Sequence, residues 1–261
     1  MPSLEGTGVH SGASCRVTLH PEAGPLRFRR RGHDIPATLD AVVDSRRATT
    51  LGHDGERVAV VEHLLAALAV RGYWSGLVIE VSATELPILD GSARAWYDLL
   101  SELPDPPPPP APLRPERNVS IASGSARAEL EPGARMLCYG IDFEHPAIGE
   151  QHWCGGPERF RELLDARTFG LLSEVEALRA QGFASGANLE NAIVFGEEGP
   201  LVPLRAENEP VRHKALDALG DLVLLGRPLE ARVTFWRGSH ALHAALMREL
   251  LRPTPEAGPA R

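Results

Sequence analysis

Asp105-Pro106-Pro107-Pro108-Pro109-Pro110-Ala111-Pro112 decides how this chain is divided. Consecutive prolines favour an extended polyproline II spacer and lack the N–H groups that a helix or a central strand needs. The run predicts a linker over residues 105–115 between a first domain, residues 1–104, and a second, residues 116–261. Outward from it on the N-terminal side, residues 14–20 and 77–81 are rich in Val, Ile and Thr and read as strands. Between them, residues 58–70 are apolar almost without break and end at Arg71-Gly72, which predicts a buried helix with a glycine stop. Residues 92–103 read as a second helix, ended by Pro104. On the C-terminal side, strands are predicted over residues 119–121, 126–130, 137–143, 192–195 and 230–236, and helices over residues 157–165, 172–181, 211–225 and 239–251. Strands followed by helices, twice, predict an α+β fold of two related domains, each a β-sheet with a pair of helices.

The 261 residues are 43% hydrophobic and 24% charged, the balance of a globular protein that folds in water. A net charge of −8 argues against a broad nucleic-acid surface. The opening Met1-Pro2-Ser3-Leu4-Glu5-Gly6 has neither the basic nor the apolar region of a secretory signal, and no apolar run reaches spanning length. Cys15, Cys138 and Cys154 lack CxxC spacing and suit a reduced compartment, so a cytoplasmic protein is expected.

Only one of the 27 basic residues is a lysine, Lys214, in Val211-Arg212-His213-Lys214-Ala215-Leu216-Asp217-Ala218-Leu219-Gly220-Asp221. On a helix, His213 and Asp217 are offset by about 40° and face one side, where imidazole and carboxylate can share a divalent ion. Asp221 continues that stripe. Glu62-His63 lies in the apolar residues 58–68, where burying a carboxylate and an imidazole is costly without partners, and a metal would supply them. In Gly238-Ser239-His240, at a strand-to-helix turn, an imidazolium is disfavoured by the helix dipole unless a carboxylate compensates, and Asp221 is the candidate. Spacing leaves open an exposed His–Asp pair, a satisfied core histidine and a plain capping histidine. His10, His33, His53, His145, His152 and His243 show no comparable spacing and are expected at the surface or a substrate rim.

Taken in order, Gly8-Val9-His10-Ser11-Gly12, Val61-Glu62-His63-Leu64, residues 85–92 (Glu-Leu-Pro-Ile-Leu-Asp-Gly-Ser), residues 141–148 (Ile-Asp-Phe-Glu-His-Pro-Ala-Ile), Ala166-Arg167-Thr168-Phe169-Gly170, residues 211–221 and Gly238-Ser239-His240-Ala241-Leu242 resemble the UDP-3-O-acyl-N-acetylglucosamine deacetylase family of lipid A synthesis in Gram-negative bacteria. The resemblance implies two α+β domains packed helix layer to helix layer with the active site between them. It implies Zn2+ held by His63, His213 and Asp217, with Glu62 as general base and His240 protonating the leaving amine or stabilising the oxyanion. Asp221 would orient His240, Thr168 would help hold the oxyanion, and Lys214 would lie near the substrate phosphates and reacting sugar. Phe143 would stack on uracil, and Phe169, also expected to touch substrate, opens a segment over residues 169–195 that would line an acyl passage with Leu171, Leu172, Val175, Leu178, Phe183 and Ile193. Within it, residues 182–188 depart from the family's usual run. The implied partner is a small acylated UDP-sugar, met by a monomer with at most transient contact with a membrane surface. A zinc deacetylase acting on another N-acetylated nucleotide sugar, and a non-catalytic UDP-sugar-binding paralogue, are the competing readings.

Overall fold

The computed structural model describes residues 1–253; the last eight positions assigned to the second domain, 254–261, lie outside the described residues. The first sheet contains β1 (Ser3–Thr7), β2 (Ser14–Pro25), β3 (Arg27–Arg30) and β4 (His33–Pro36). A small separate sheet follows, of β5 (Val42–Asp44), β6 (Thr50–His53) and β7 (Glu56–Ala59). Then come helix α1 (Glu62–Arg71), strand β8 (Ser75–Val81), which returns to the first sheet, and helix α2 (Arg94–Leu100). After the prolines, β9 (Val119–Ser123), β10 (Ala126–Pro132), β11 (Met136–Phe143) and β12 (Gly149–Gly155) start a second sheet. The short pair β13 (Phe169–Leu171) and β14 (Ile193–Phe195) flanks α3 (Leu172–Ala180). Helix α4 (Glu209–Leu222), strand β15 (Ala231–Trp236) and helix α5 (His240–Leu251) complete the description.

The two five-stranded sheets share one plan. Their orders are β1-β2-β8-β3-β4 and β9-β10-β15-β11-β12, two hairpins with a late strand inserted between them. In each, the inserted strand is antiparallel to the first hairpin and parallel to the second. In both halves one α-helix, α1 or α4, is the last before the inserted strand and one follows it, the second half carrying α3 in addition. The repeat that sequence identity leaves faint is plain in the topology.

Helix α1 is buried from Glu62 through Ala69, as a helix must be when it is apolar all round and covered on every side. It packs on α4, and one hydrophobic core runs from the first sheet through these helices to the second. The closest point is Gly220, where a Cβ would stand 2.1 Å from the Glu62 carbonyl oxygen and 3.1 Å from the Ala66 nitrogen. Only a residue without a side chain permits this crossing.

Several expectations need correction. The helix expected over residues 58–70 begins only at Glu62, because Val58 belongs to β7, paired with Leu51, and Val60 turns the chain at φ +60°. A continuous apolar run does not distinguish a buried strand from a buried helix. The helix expected over residues 157–165 is a 3-10 turn, Pro157–Leu163, and that over residues 92–103 is shorter, with Ser92 tied to Asp90 before the first turn. Strands β3 and β4 were hidden by their charge, Arg27-Phe28-Arg29-Arg30 pairing with His33-Asp34-Ile35-Pro36. The cysteines are also not all free thiols. Cys138 and Cys154 face each other across β11 and β12 and form a disulfide, leaving Cys15 as the buried free cysteine. Sixteen residues apart, they are brought together by strand pairing rather than by local spacing.

Replacing Gly220 with alanine is expected to cost about 1–3 kcal/mol of stability, as overpacking of a close-packed contact does. Urea denaturation of wild type and Gly220→Ala measures it.

Candidate active site and metal centre

The crossing of α1 and α4 sets the first turn of one against the middle of the other. Val60, a β-branched residue in the left-handed region, directs the chain into α1 so that Glu62 and His63 enter the interior, a conformation that costs about 1–3 kcal/mol. On α4, His213 and Asp217 stand one turn apart and are both buried. Asp217 Oδ1 lies 3.4 Å from His213 Nε2 and 3.7 Å from His63 Nε2. The His213 Nδ1–H donates to the Ala166 carbonyl at 3.2 Å, which leaves its Nε2 lone pair facing Asp217 and His63. Asp217 Oδ1 is buried with no hydrogen-bond donor, while Oδ2 accepts from Lys214 Nζ at 3.1 Å. An orphaned carboxylate oxygen between two imidazole nitrogens fits a divalent cation, and His63, His213 and Asp217 could hold one.

Burial keeps both imidazoles uncharged, pushing His213 down to about 3 and lowering His63 as well. Burial opposes ionisation of Asp217, but the His213 ring, which takes up a proton only in acid, and the Lys214 and His240 cations outweigh it and hold the carboxyl well below its usual range. Neutral imidazole and ionised carboxylate are the states that bind metal.

A second cluster adjoins the first. Glu62 Oε2 accepts from the Thr49 backbone N–H at 3.1 Å, and Oε1 lies 3.7 Å from His240 Nε2. His240 Nδ1 donates to Asp221 Oδ2 at 2.7 Å, and the Thr49 hydroxyl donates to Asp221 Oδ1 at 2.5 Å. Burial pushes Glu62 up to about 8, against the pull of His240. For His240, burial is outweighed by Asp221 and Glu62, and its pKa rises to about 9. Asp221, despite burial, is drawn down to about 2 by His240. The site therefore holds a strongly basic carboxylate beside an imidazole that keeps its proton.

A cavity of about 140 Å³ brings together Glu62, His63, Thr168, Phe169, Lys214 and His240, with His213 and Asp217 also on its wall. Thr168 is pinned from two sides: its N–H donates to the Gly91 carbonyl and its own carbonyl accepts from the Ile193 N–H, both at 2.8 Å. The adjacent Arg167, paired with Glu209 at 2.9 Å, anchors the strand to the start of α4. Phe143 does not line this cavity; it packs edge-on against Phe169 at 5.4 Å, and Lys214 Nζ lies 5.8 Å from the Phe169 ring. Of the expected passage residues, Leu171, Val175 and Leu178 line the cavity. Leu172 instead points to solvent and Ile193 is buried in the core, while Phe183 packs against His10 beside a neighbouring cleft.

The sequence reading missed Thr49 and misplaced His243. Thr49 lies in a loop with no telltale spacing and reaches Asp221 only through the tertiary fold. His243, expected at the surface, is 1% exposed and bonds to Asp221 Oδ2 at 2.7 Å. Its position three residues after His240, on the same face of α5, was the available signal.

Residues 2–252 match the family described as "LpxC: UDP-3-O-acyl N-acetylglycosamine deacetylase". The chain is similar to a UDP-3-O-acyl-N-acetylglucosamine deacetylase of Myxococcus xanthus, 43% identical over 95% of this chain and 83% of that protein. A protein of the same name from Thermosynechococcus vestitus is 42% identical over 94% of this chain and 90% of its own length. Another, from Syntrophotalea carbinolica, is 37% identical over 95% and 85%. Matched along nearly its whole length by both the family and these relatives, the chain belongs to the LpxC family of UDP-3-O-acyl N-acetylglycosamine deacetylases.

Proposed function

We propose that this chain is a zinc-dependent hydrolase that removes the N-acetyl group of UDP-3-O-acyl-N-acetylglucosamine, giving UDP-3-O-acyl-glucosamine and acetate in lipid A biosynthesis. The observation that carries the reading is the basic carboxylate Glu62 beside the His63, His213 and Asp217 set in one cavity, because binding alone needs no base next to a metal. Two imidazoles and a carboxylate are a donor set suited to zinc and leave a coordination position open. With zinc bound, the site gains Lewis acidity, which polarises the amide carbonyl and lowers the pKa of water.

The chain's own residues supply the rest. Glu62, made more basic by burial and held by the Thr49 N–H, removes the proton from the attacking water. The Thr168 hydroxyl donates to the oxygen that becomes negative as the carbonyl carbon turns tetrahedral. His240, its Nδ1–H engaged by Asp221, offers the proton on Nε2 to the nitrogen as the C–N bond breaks, so the amine leaves neutral. Asp221 keeps that imidazole charged and oriented. Lys214, which already pairs with Asp217, places its ammonium toward the phosphates and reacting sugar. Phe143 and Phe169 form an aromatic pair for the uracil and sugar side, and Leu171, Val175 and Leu178 receive the acyl chain. Residues 1–104 and 116–261 act as two domains joined by the linker at 105–115, the protein working as a cytoplasmic monomer on a small-molecule UDP-sugar. Among the described residues no helix is long and apolar enough to cross a membrane.

Glu62→Ala is expected to retain zinc and lose about 10²–10⁴-fold in kcat, the usual scale for a positioned acid or base; Asp217→Ala is expected to lose zinc instead. Metal analysis alongside an acetate-release assay separates them, and a Glu62→Ala variant near wild-type turnover rules out the base role. Since His240 donates only while protonated and its pKa is raised to about 9, kcat/KM is expected to fall as pH rises through about 9. Lys214→Arg keeps the charge but not the compact ammonium, and is expected to weaken turnover or substrate binding with zinc retained.

A further inference from the structure

Asp221 is engaged beyond what its pairing with His240 requires. Its Oδ2 faces Nδ1 of His240 and Nδ1 of His243, each at 2.7 Å, while Oδ1 takes the Thr49 hydroxyl at 2.5 Å. An ionised carboxylate only accepts, so both imidazole Nδ1 atoms carry protons. The other nitrogen of His243, Nε2, is 3.2 Å from the Tyr139 hydroxyl. Burial keeps the His243 ring neutral and holds Tyr139 protonated, so Nε2 accepts and the phenol donates. A directed chain results, from Tyr139 through His243 to Asp221, meeting the donation from His240 at the same oxygen. The enclosure is tight: the His243 ring centroid lies 4.4 Å from that of Phe235. At Gly238 a Cβ would stand 2.5 Å from the Tyr139 oxygen and 3.2 Å from His243 Nε2, so the missing side chain makes room for this bond.

As core filling alone, a phenylalanine would serve here, since replacing a buried hydrogen-bonded set by apolar groups of the same shape is nearly neutral in stability. The imidazole is instead placed on the one oxygen that also holds His240. We propose that His243 is a positioning residue for deacetylation, which together with Thr49 fixes the Asp221 carboxylate and takes a share of its charge, so that His240 is oriented yet still releases its proton. This rests on the reading of His240 as proton donor. The titratable groups around the two histidines are Glu62 and His63 on α1, Asp217 and Asp221 on α4, and Tyr139 on β11. The variants below leave all of these in place except Tyr139.

The direction follows from the charge sharing. Without the His243 N–H, Asp221 pulls harder on the His240 proton, which then leaves at higher pH and is delivered more slowly. The zinc-loaded wild type is compared with His243→Phe, with Tyr139→Phe/His243→Phe, which leaves no orphaned phenol if the single variant folds poorly, and with His243→Asn, whose amide N–H stands close to the place of Nδ1. Both phenylalanine variants are expected to lose about tenfold in kcat, the worth of one hydrogen bond to a charged group, with KM changed less than about twofold. Their zinc content is expected to match wild type, and the alkaline limb of the pH profile to move up; His243→Asn is expected to restore both kcat and the limb. Folded phenylalanine variants with wild-type kcat and an unmoved limb overturn the role, as does a lowered melting temperature with the pH profile unchanged. So does a His243→Asn variant as slow as His243→Phe. Absence of turnover by the wild type overturns the deacetylase reading and this role with it, whereas wild-type turnover with unimpaired phenylalanine variants overturns this role alone.

Discussion

The site depends on how closely two helices approach. At Gly220 the backbone of α4 lies against the Glu62 carbonyl, and a methyl group there would fall at 2.1 Å from that oxygen. The contact fixes the depth and register at which α1 meets α4, and with them the distances between His63, His213 and Asp217. Because α1 and α4 hold equivalent places in the two halves, each preceding the inserted strand of its sheet, the candidate metal donors come from both copies of one plan. A close-packed interior transmits such a constraint rather than absorbing it.

Two neighbouring clusters draw opposite behaviour from the same residue type. His63 and His213 are desolvated with their lone pairs aimed at an orphaned carboxylate oxygen, and they stay neutral. His240, equally buried, accepts a bond from none of its neighbours but gives one to Asp221 and faces Glu62, and it stays charged. The difference lies in which carboxylate each ring meets and in what else that carboxylate binds. Thr49 ties the clusters together, its N–H on Glu62 and its hydroxyl on Asp221, so one loop residue of the first half orders both.

How legible each part was follows its range in sequence. The pair His213 and Asp217 and the strand-to-helix turn before α5 are local patterns, visible in the spacing and reproduced by the helices. The ordered blocks of family resemblance brought His63 and Glu62 to the same site, although the helix that carries them starts four residues later than the apolar run suggests. Thr49 and His243 escaped, since each gains its partner from a distant element, and the Cys138–Cys154 pairing escaped because it depends on the register of β11 against β12. Short charged strands such as β3 escaped too, because Arg27 and Arg29 find carboxylates in Asp34 and Glu22, and Arg30 in Glu56, a compensation no alternation rule displays.

The sequence by itself determined the α+β character, the helices bearing the candidate ligands and the family, since these rest on periodicity and ordered motifs. Tertiary structure decided that α1 and α4 cross at a glycine, that β8 and β15 insert into their sheets, and that Asp221 serves His240, His243 and Thr49 together. The physical reason is that pKa, metal fit and hydrogen-bond direction are set by what surrounds a side chain in space. Those surroundings form only when residues far apart in the chain, such as Thr49 and Asp221, are pressed into one dry interior.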